Sequence, residues 1–207
     1  MAKKIILASA SPRRTELLSK AGIVHAIKVS DIDETPLNGE SPARMVERLS
    51  RQKAEVVSKS LSKSGSYFVI AADTTVVDYE NRNLGKPETE KEARAMIQAL
   101  QGRRHFVFTG YTVLLIEKGM MKSRTSDVIR TDVYMKKLTP KEIAEYVKRG
   151  ECMDKAGAYA AQGFGMVLIE KIVGSYTNVI GLPVAEVIHD LKKLGWKANE
   201  RTRSCSK

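Results

Sequence analysis

Arg13 and Arg14 follow Ser11-Pro12 in the stretch ILASASPRRTELLSKAG, residues 6–22. Ser11 reads as a helix N-cap and Pro12 as the first helical residue. Both arginines therefore fall in the first turn, where the helix dipole is already positive. Two solvated arginines tolerate that position at a cost of about a few tenths of a kcal/mol. A second reading is an anion site. Free N–H groups, the hydroxyls of Ser9 and Ser11 and two guanidinium forks could then converge on phosphate oxygens. The pattern GxxxxGK[ST] is missing, so the stretch is not a P-loop.

Other residues break their local pattern in ways that bear on the same chemistry. In a helix starting at Ser41-Pro42, the residues Val46, Leu49, Val56 and Val57 form an apolar stripe, and Lys53 falls on it. Its ammonium either snorkels to the edge or faces a cleft and an anionic partner. Asp73 follows the apolar run of residues 67–72 and precedes another apolar pair. It either turns the chain, or sits at a strand end and meets a cation or a metal. LGKP, residues 84–87, presents Lys86 rigidly after a tight turn. SDIDET, residues 30–35, holds three acids including Glu34 and reads as a solvated turn or a divalent-cation site. DKAGAYAAQGFG, residues 154–165, is rich in Gly and Ala around Gln162 and allows close backbone approach to a ligand. His25, His105 and His189 lie in strand-like or helical runs without evident partners, which argues against a histidine mechanism. Arginines, lysines, carboxylates and a glutamine together suit metal-assisted phosphate hydrolysis.

Legible elements must position these groups. Helices are expected from Pro12 into the opening stretch, from 41 to about 60, from the capping box TEKE at 89–92 to about 100, from the capping box TPKE at 139–142 toward Gly150, and over 184–194. Strands are expected at 5–8, 25–29, 67–72 and 165–174, with two long β runs at 105–119 and 121–135 joined as a hairpin around Gly119. Alternating helices and strands around an antiparallel hairpin indicate an α/β fold with a mixed sheet.

Composition bounds the reading. The chain has 207 residues and 43% hydrophobic residues, which favours one globular domain. Net charge is +11. The last sixteen residues hold six Lys/Arg and one Glu, a local +5, which leaves +6 for the rest. A domain over 1–195 followed by a basic, flexible tail at 196–207 is expected. Such a body suits a polyanionic small substrate as well as nucleic acid. Aromatics are only 6% and no basic recognition helix is evident, so nucleic-acid contact is expected only weakly, through the tail. Cys152 and Cys205 have no metal-like spacing, and the first apolar run is too short for a signal peptide or membrane span. A cytoplasmic protein without a membrane partner is expected.

The motifs LASASPRRTELL, SRQKA, AADTTVV, LGKP, DKAGAYAAQG and NVIGLPV stand in the order and approximate spacing of the Maf family. These are septum-formation-like nucleoside triphosphate pyrophosphatases, and the chain resembles them over about residues 4–194. The resemblance implies an inosine-triphosphate-pyrophosphatase-like fold, with two lobes on a mixed twisted sheet around a central cleft, often as a homodimer. It implies hydrolysis of a nucleoside triphosphate to the monophosphate and pyrophosphate with Mg²⁺ or Mn²⁺. By motif, Asp73 would be the proton acceptor and Glu34 a further active-site position, and in the mechanism expected from this set Asp73 and Glu34 would hold the metal. Arg13, Thr74 and Gln162 would set base specificity. Ser9, Arg14, Lys53 and Lys86 match further active-site positions. The ADTT and YAAQG forms are similar to the subgroup acting on dTTP and UTP, as against its sibling for methylated guanine nucleotides.

Overall fold

The computed structural model describes residues 3–197. Strand β1 (Lys4–Leu7) leads into helix α1 (Pro12–Lys20), and strand β2 (Ala26–Ile27) follows. Helix α2 (Pro42–Lys59) precedes β3 (Ser66–Val77) and the short β4 (Asn83–Leu84). Helix α3 (Glu90–Leu100), strands β5 (Arg104–Glu117) and β6 (Met120–Met135), and α4 (Pro140–Lys148) come next. The chain closes with β7 (Ile169–Val173), α5 (Tyr176–Ile180) and α6 (Val184–Lys193).

The strands form one sheet in the order β2-β1-β3-β5-β6-β7, with β4 on the far end of β3. Strands β1, β2 and the first part of β3 run parallel, and every other pairing is antiparallel. The mixed sheet is thus as expected. The β5–β6 hairpin turns through Lys118 and Gly119, both at positive φ, a pair of conformations that matches the right-handed twist of the strands.

Two lobes share the long strands. One buries Leu7, Leu18, Phe68, Ile70, Val113 and Leu182 between the first half of β3, α1 and α6. Trp196 rests on this core. The other buries Val76, Ile97, Val107, Met135, Tyr146 and Leu168 around the far ends of β3, β5 and β6 with α3 and α4. A layer formed by α2 covers the opposite face of the sheet through Ala54, Val57, Val69 and Leu114.

The structure revises several expectations. Strand β3 continues past residue 72 to Val77, because its residues beyond Ala72 pair with β5 as far as Val77↔Phe106. Asp73 is therefore inside a strand rather than at its end. The capping box at 139–142 forms in full, but at 89–92 the Glu92 carboxylate accepts from Glu88 N instead of Thr89 N. Residues 163–168 form a 3₁₀ segment, and only Ile169–Val173 pairs as a strand. A β-carbon on Gly165 would lie 2.3 Å from the Ala160 carbonyl oxygen, so the chain here is folded tightly on itself. Val56 is 41% exposed, and the buried stripe of α2 is Met45, Val46, Leu49, Ser50, Lys53, Ala54 and Val57. Of the basic tail, residues 198–207 lie outside the described residues.

Candidate active site

Strand β1 stops at Leu7, opposite Ile70, while β3 runs on for seven more residues to Val77. The space beyond the end of β1 is a cleft of about 1020 Å³ between the two lobes. All nine site residues expected from the motifs line it: Ser9, Arg13, Arg14, Glu34, Lys53, Asp73, Thr74, Lys86 and Gln162. This is the crevice at the carboxyl end of a parallel strand where α/β sheets place their ligands.

Successive residues of β3 serve opposite walls. Asp73 pairs with Gly110 on the face covered by α2. A β-carbon on Gly110 would lie 2.3 Å from the carbonyl carbon and oxygen of Val46, so only glycine lets α2 press this closely on the sheet. About two turns along α2, Lys53 Nζ donates to Asp73 Oδ1 at 2.6 Å and meets Glu34 Oε1 at 2.8 Å. Lys53 is 7% exposed and Asp73 8% exposed. Their charges are compensated within the site, as burial requires. Glu34 approaches from the exposed loop after β2.

Thr74 faces the other wall. Its hydroxyl lies 2.9 Å from Thr109 Oγ1 and 3.3 Å from the Gly181 carbonyl oxygen, and accepts from Arg14 Nη2 at 3.2 Å. The Thr109 hydroxyl also lies 3.2 Å from the Asn178 carbonyl oxygen as a donor, so the one Thr74 hydrogen is shared between Thr109 and Gly181. Arg14 also donates from Nε to the Gly181 carbonyl at 2.8 Å and from Nη1 to Ser9 Oγ at 2.9 Å. Burial lowers the pKa of this guanidinium, while the Asp73 carboxylate opposes that shift.

The start of α1 differs from the helices capped by Ser41, Thr89, Thr139 and Ser175, whose side chains each accept a backbone N–H. Ser11 holds the N-cap position but makes no such bond, and its own N–H donates to Ser9 Oγ at 3.2 Å. The first-turn N–H groups of α1 are thus not satisfied by their cap. Arg13 reaches across the cleft, its Nη1 donating to Asp154 Oδ2 at 2.7 Å. Asp154 also takes a hydrogen bond from Lys155. Partial burial raises the Asp154 pKa, but the bonds from Lys155 and Arg13 outweigh it and hold the carboxyl at about 2.

Lys86 is exposed on the rim, and its segment is tied to the far lobe by Gly157 N donating to the Gly85 carbonyl at 3.0 Å. Gln162 is half-buried at the head of the 3₁₀ segment, and its side chain makes no hydrogen bond among the described residues. The three histidines stay outside the cleft lining. His105 does have a partner, against expectation, with Nε2 2.7 Å from the Tyr159 hydroxyl. Among the acids at 31–34, Glu34 alone joins the site, whereas Asp33 accepts from Thr35 N at 2.9 Å. The described residues contain no group of three or more His, Cys, Asp or Glu side chains able to hold a metal alone. Two carboxylates, Glu34 and Asp73, nevertheless suit Mg²⁺, which commonly takes one or two carboxylates and draws its other ligands from water and substrate phosphates.

A family model described as Maf-like protein matches residues 4–194. This chain belongs to the Maf family. It is 45% identical over 195 residues to a dTTP/UTP pyrophosphatase of Syntrophus aciditrophicus (strain SB), covering 94% of this chain and 92% of that one. It is 47% identical over 191 residues to a dTTP/UTP pyrophosphatase of Geotalea uraniireducens (strain Rf4), covering 92% and 95%. Among solved structures, the Staphylococcus aureus Ham1 protein aligns with a TM-score of 0.41 at 16% identity, covering 81% of this chain and 80% of that one. The Maf motifs thus converge on one cleft. Sequence reasoning missed Asp154, Lys155, Gly110 and the Gly181 carbonyl. A glycine inside the β run HFVFTGYTV was the available signal for Gly110. A backbone carbonyl has no signature in residue type.

Proposed function

We propose that this protein hydrolyses dTTP and UTP to the nucleoside monophosphate and pyrophosphate. The observation that carries the reading is Lys53 held between Asp73 and Glu34, in the same cleft as the uncapped start of α1. A water oxygen bonds to the α-phosphorus, the bond from that phosphorus to the bridging oxygen breaks, and pyrophosphate leaves. Asp73 accepts the proton of the water. Only Oδ1 of Asp73 takes a hydrogen bond among the described residues, so Oδ2 is available for it. Lys53 keeps the carboxylate aimed.

Ser9 Oγ already accepts two hydrogen bonds, so its own hydrogen is left to donate to a phosphate oxygen. The α1 N–H groups and Arg13 bind the phosphate chain, with Arg13 exchanging Asp154 for substrate. Lys86 meets the leaving pyrophosphate at the rim. Arg14 joins Arg13 in gripping the phosphates, since its bonds to protein use three of its five N–H donors among the described residues, and Thr74 shapes the base pocket beside it. Gln162 offers both an amide donor and a carbonyl acceptor, the complement of a pyrimidine edge. Glu34 and Asp73 would hold Mg²⁺ or Mn²⁺. When bound, such an ion neutralises phosphate charge and lowers the pKa of water. A cytoplasmic setting is part of this reading, in keeping with Cys152, which is buried and unpaired among the described residues.

Pyrophosphate release from a panel of canonical and modified nucleoside triphosphates tests the reading. The expected result is the highest kcat/KM for dTTP and UTP. A preference for a purine or methylated-purine triphosphate would overturn the substrate and leave the reaction. Release from none of them would overturn both.

A further inference from the structure

Residues 28–41, which carry Glu34 into the site, form neither helix nor strand, and residues 33–39 are all exposed. Ile32 packs against Met45, Val46 and Leu49 of α2, but beyond it no apolar contact holds the exposed stretch that carries Glu34. What ties it down is Arg48 on α2. Its Nε and Nη2 donate to Glu40 Oε1 and Oε2, each at 2.7 Å, a paired geometry that lysine cannot reproduce. The same Nη2 donates to the Thr35 carbonyl at 3.1 Å, and Nη1 donates to Gln52 Oε1 at 3.2 Å. Glu40 Oε2 in turn accepts from Leu37 N at 3.1 Å. The side chains of Arg48 and Glu40 are only 14% and 8% exposed, although the loop around them is in solvent. Thr35, the residue next to Glu34, is therefore fixed to α2 at Arg48, and the Glu34 carboxylate meets the same helix at Lys53. Five residues of helix separate the two anchor points, a rise of about 7.5 Å.

We propose that Arg48 is a positioning residue. Its clamp on Glu40 and the Thr35 carbonyl places the Glu34 carboxylate against Lys53 beside Asp73. Neither Arg48 nor Glu40 lines the cleft, so both act through the loop. The inference rests on the proposed function in one respect, the need of the reaction for Glu34. A misplacement of a reacting group by about 1 Å can cost about 10²-fold in rate, so the loss of this clamp should be visible in kcat.

The test is a cycle of Arg48→Lys, Glu34→Gln and the double variant, assayed for kcat and KM with dTTP. Hydrogen–deuterium exchange over residues 30–40 is followed alongside. Arg48→Lys is expected to lower kcat by about tenfold or more and change KM by less than about threefold. In the Glu34→Gln background the same substitution is expected to cost less than about twofold. Exchange in residues 30–40 should rise while α2 stays protected. Equal losses in the two backgrounds, or unchanged loop exchange, would overturn the positioning role. Full activity of Glu34→Gln alone would overturn the part given to Glu34 and this inference with it. Glu40→Gln weakens the clamp from its other side and is the variant to use if Arg48→Lys does not fold.

Discussion

At the scale of single residues, Lys53 shows how an ion pair reverses the expectation from burial alone. On an apolar helix stripe a methionine would be tolerated or even favourable. Here Lys53→Met leaves Asp73 and Glu34 as like charges with no cation between them. Removing one partner of a buried pair costs on the order of 3 kcal/mol, so both the melting temperature and kcat should fall. An unchanged melting temperature would show that solvent compensates these carboxylates. Asp73→Asn keeps the shape of the side chain and leaves Lys53 paired with Glu34. The protein should stay folded while kcat falls by at least about 10²-fold, the usual scale for a positioned base. Circular dichroism and steady-state kinetics on one preparation check both halves. Gln162→Glu removes the amide donor at neutral pH while keeping the length. It should lower kcat/KM for dTTP and UTP more than for other nucleotides, because a base that loses its hydrogen-bond partner leaves buried polar groups unpaired.

At the scale of elements, the site depends on how closely α2 lies on β5. The contact at Gly110 sets that distance, with Val46 and Glu47 of α2 against the strand backbone. Ser50 and Thr112 hold the next turn at 2.9 Å between their hydroxyls. Gly110→Ala drives a methyl group into the helix backbone, and the helix must move or the strand must bend. Overpacking of this kind typically costs about 1–3 kcal/mol. Because Asp73 is the strand partner of Gly110, the same shift would separate it from Lys53. The expected result is a lower melting temperature together with a loss of kcat larger than the loss of folded protein explains. Wild-type kcat in the folded fraction would show that α2 re-seats without moving Lys53.

At the scale of the whole molecule, the cleft is the gap between two lobes that must each hold their shape. In the lobe of α3 and α4, His105 is fully buried, with Tyr159 as its hydrogen-bond partner. Burial lowers its pKa from 6.5 to about 4. The unfolded chain therefore takes up a proton below pH 6.5 that the folded protein refuses until about pH 4. Stability from this group is complete above the unfolded value and drains away as pH falls toward the folded one. The slope is about 1.4 kcal/mol per pH unit. Asp154 is depressed to about 2 and adds its loss only below the ordinary carboxylate range, so the two windows separate. Urea unfolding midpoints at pH 7 and pH 5 should differ in the wild type and differ much less in His105→Gln. Parallel acid limbs in the two proteins would assign the transition to another group.

Local information in the chain was enough to place most of the helices and strands, and the order of the family motifs named the residues expected at the site. Caps at Ser41 and Thr139, glycines after the helices and the turn at Gly119 act over a few residues, so their consequences can be read in order along the chain. Arg13 and Arg14 stood out because two cations at a positive helix end conflict locally, whatever the rest of the molecule does. What remained open was which charge meets which. Pairings such as Lys53 with Asp73 and Glu34, or Arg13 with Asp154 at a separation of 141 residues, depend on chain crossings that no local pattern records. The extent of β3 was hidden for the same reason. An aspartate and two threonines remain in a strand only because β5 supplies partners as far as Val77↔Phe106, and that pairing belongs to the sheet, not to the segment.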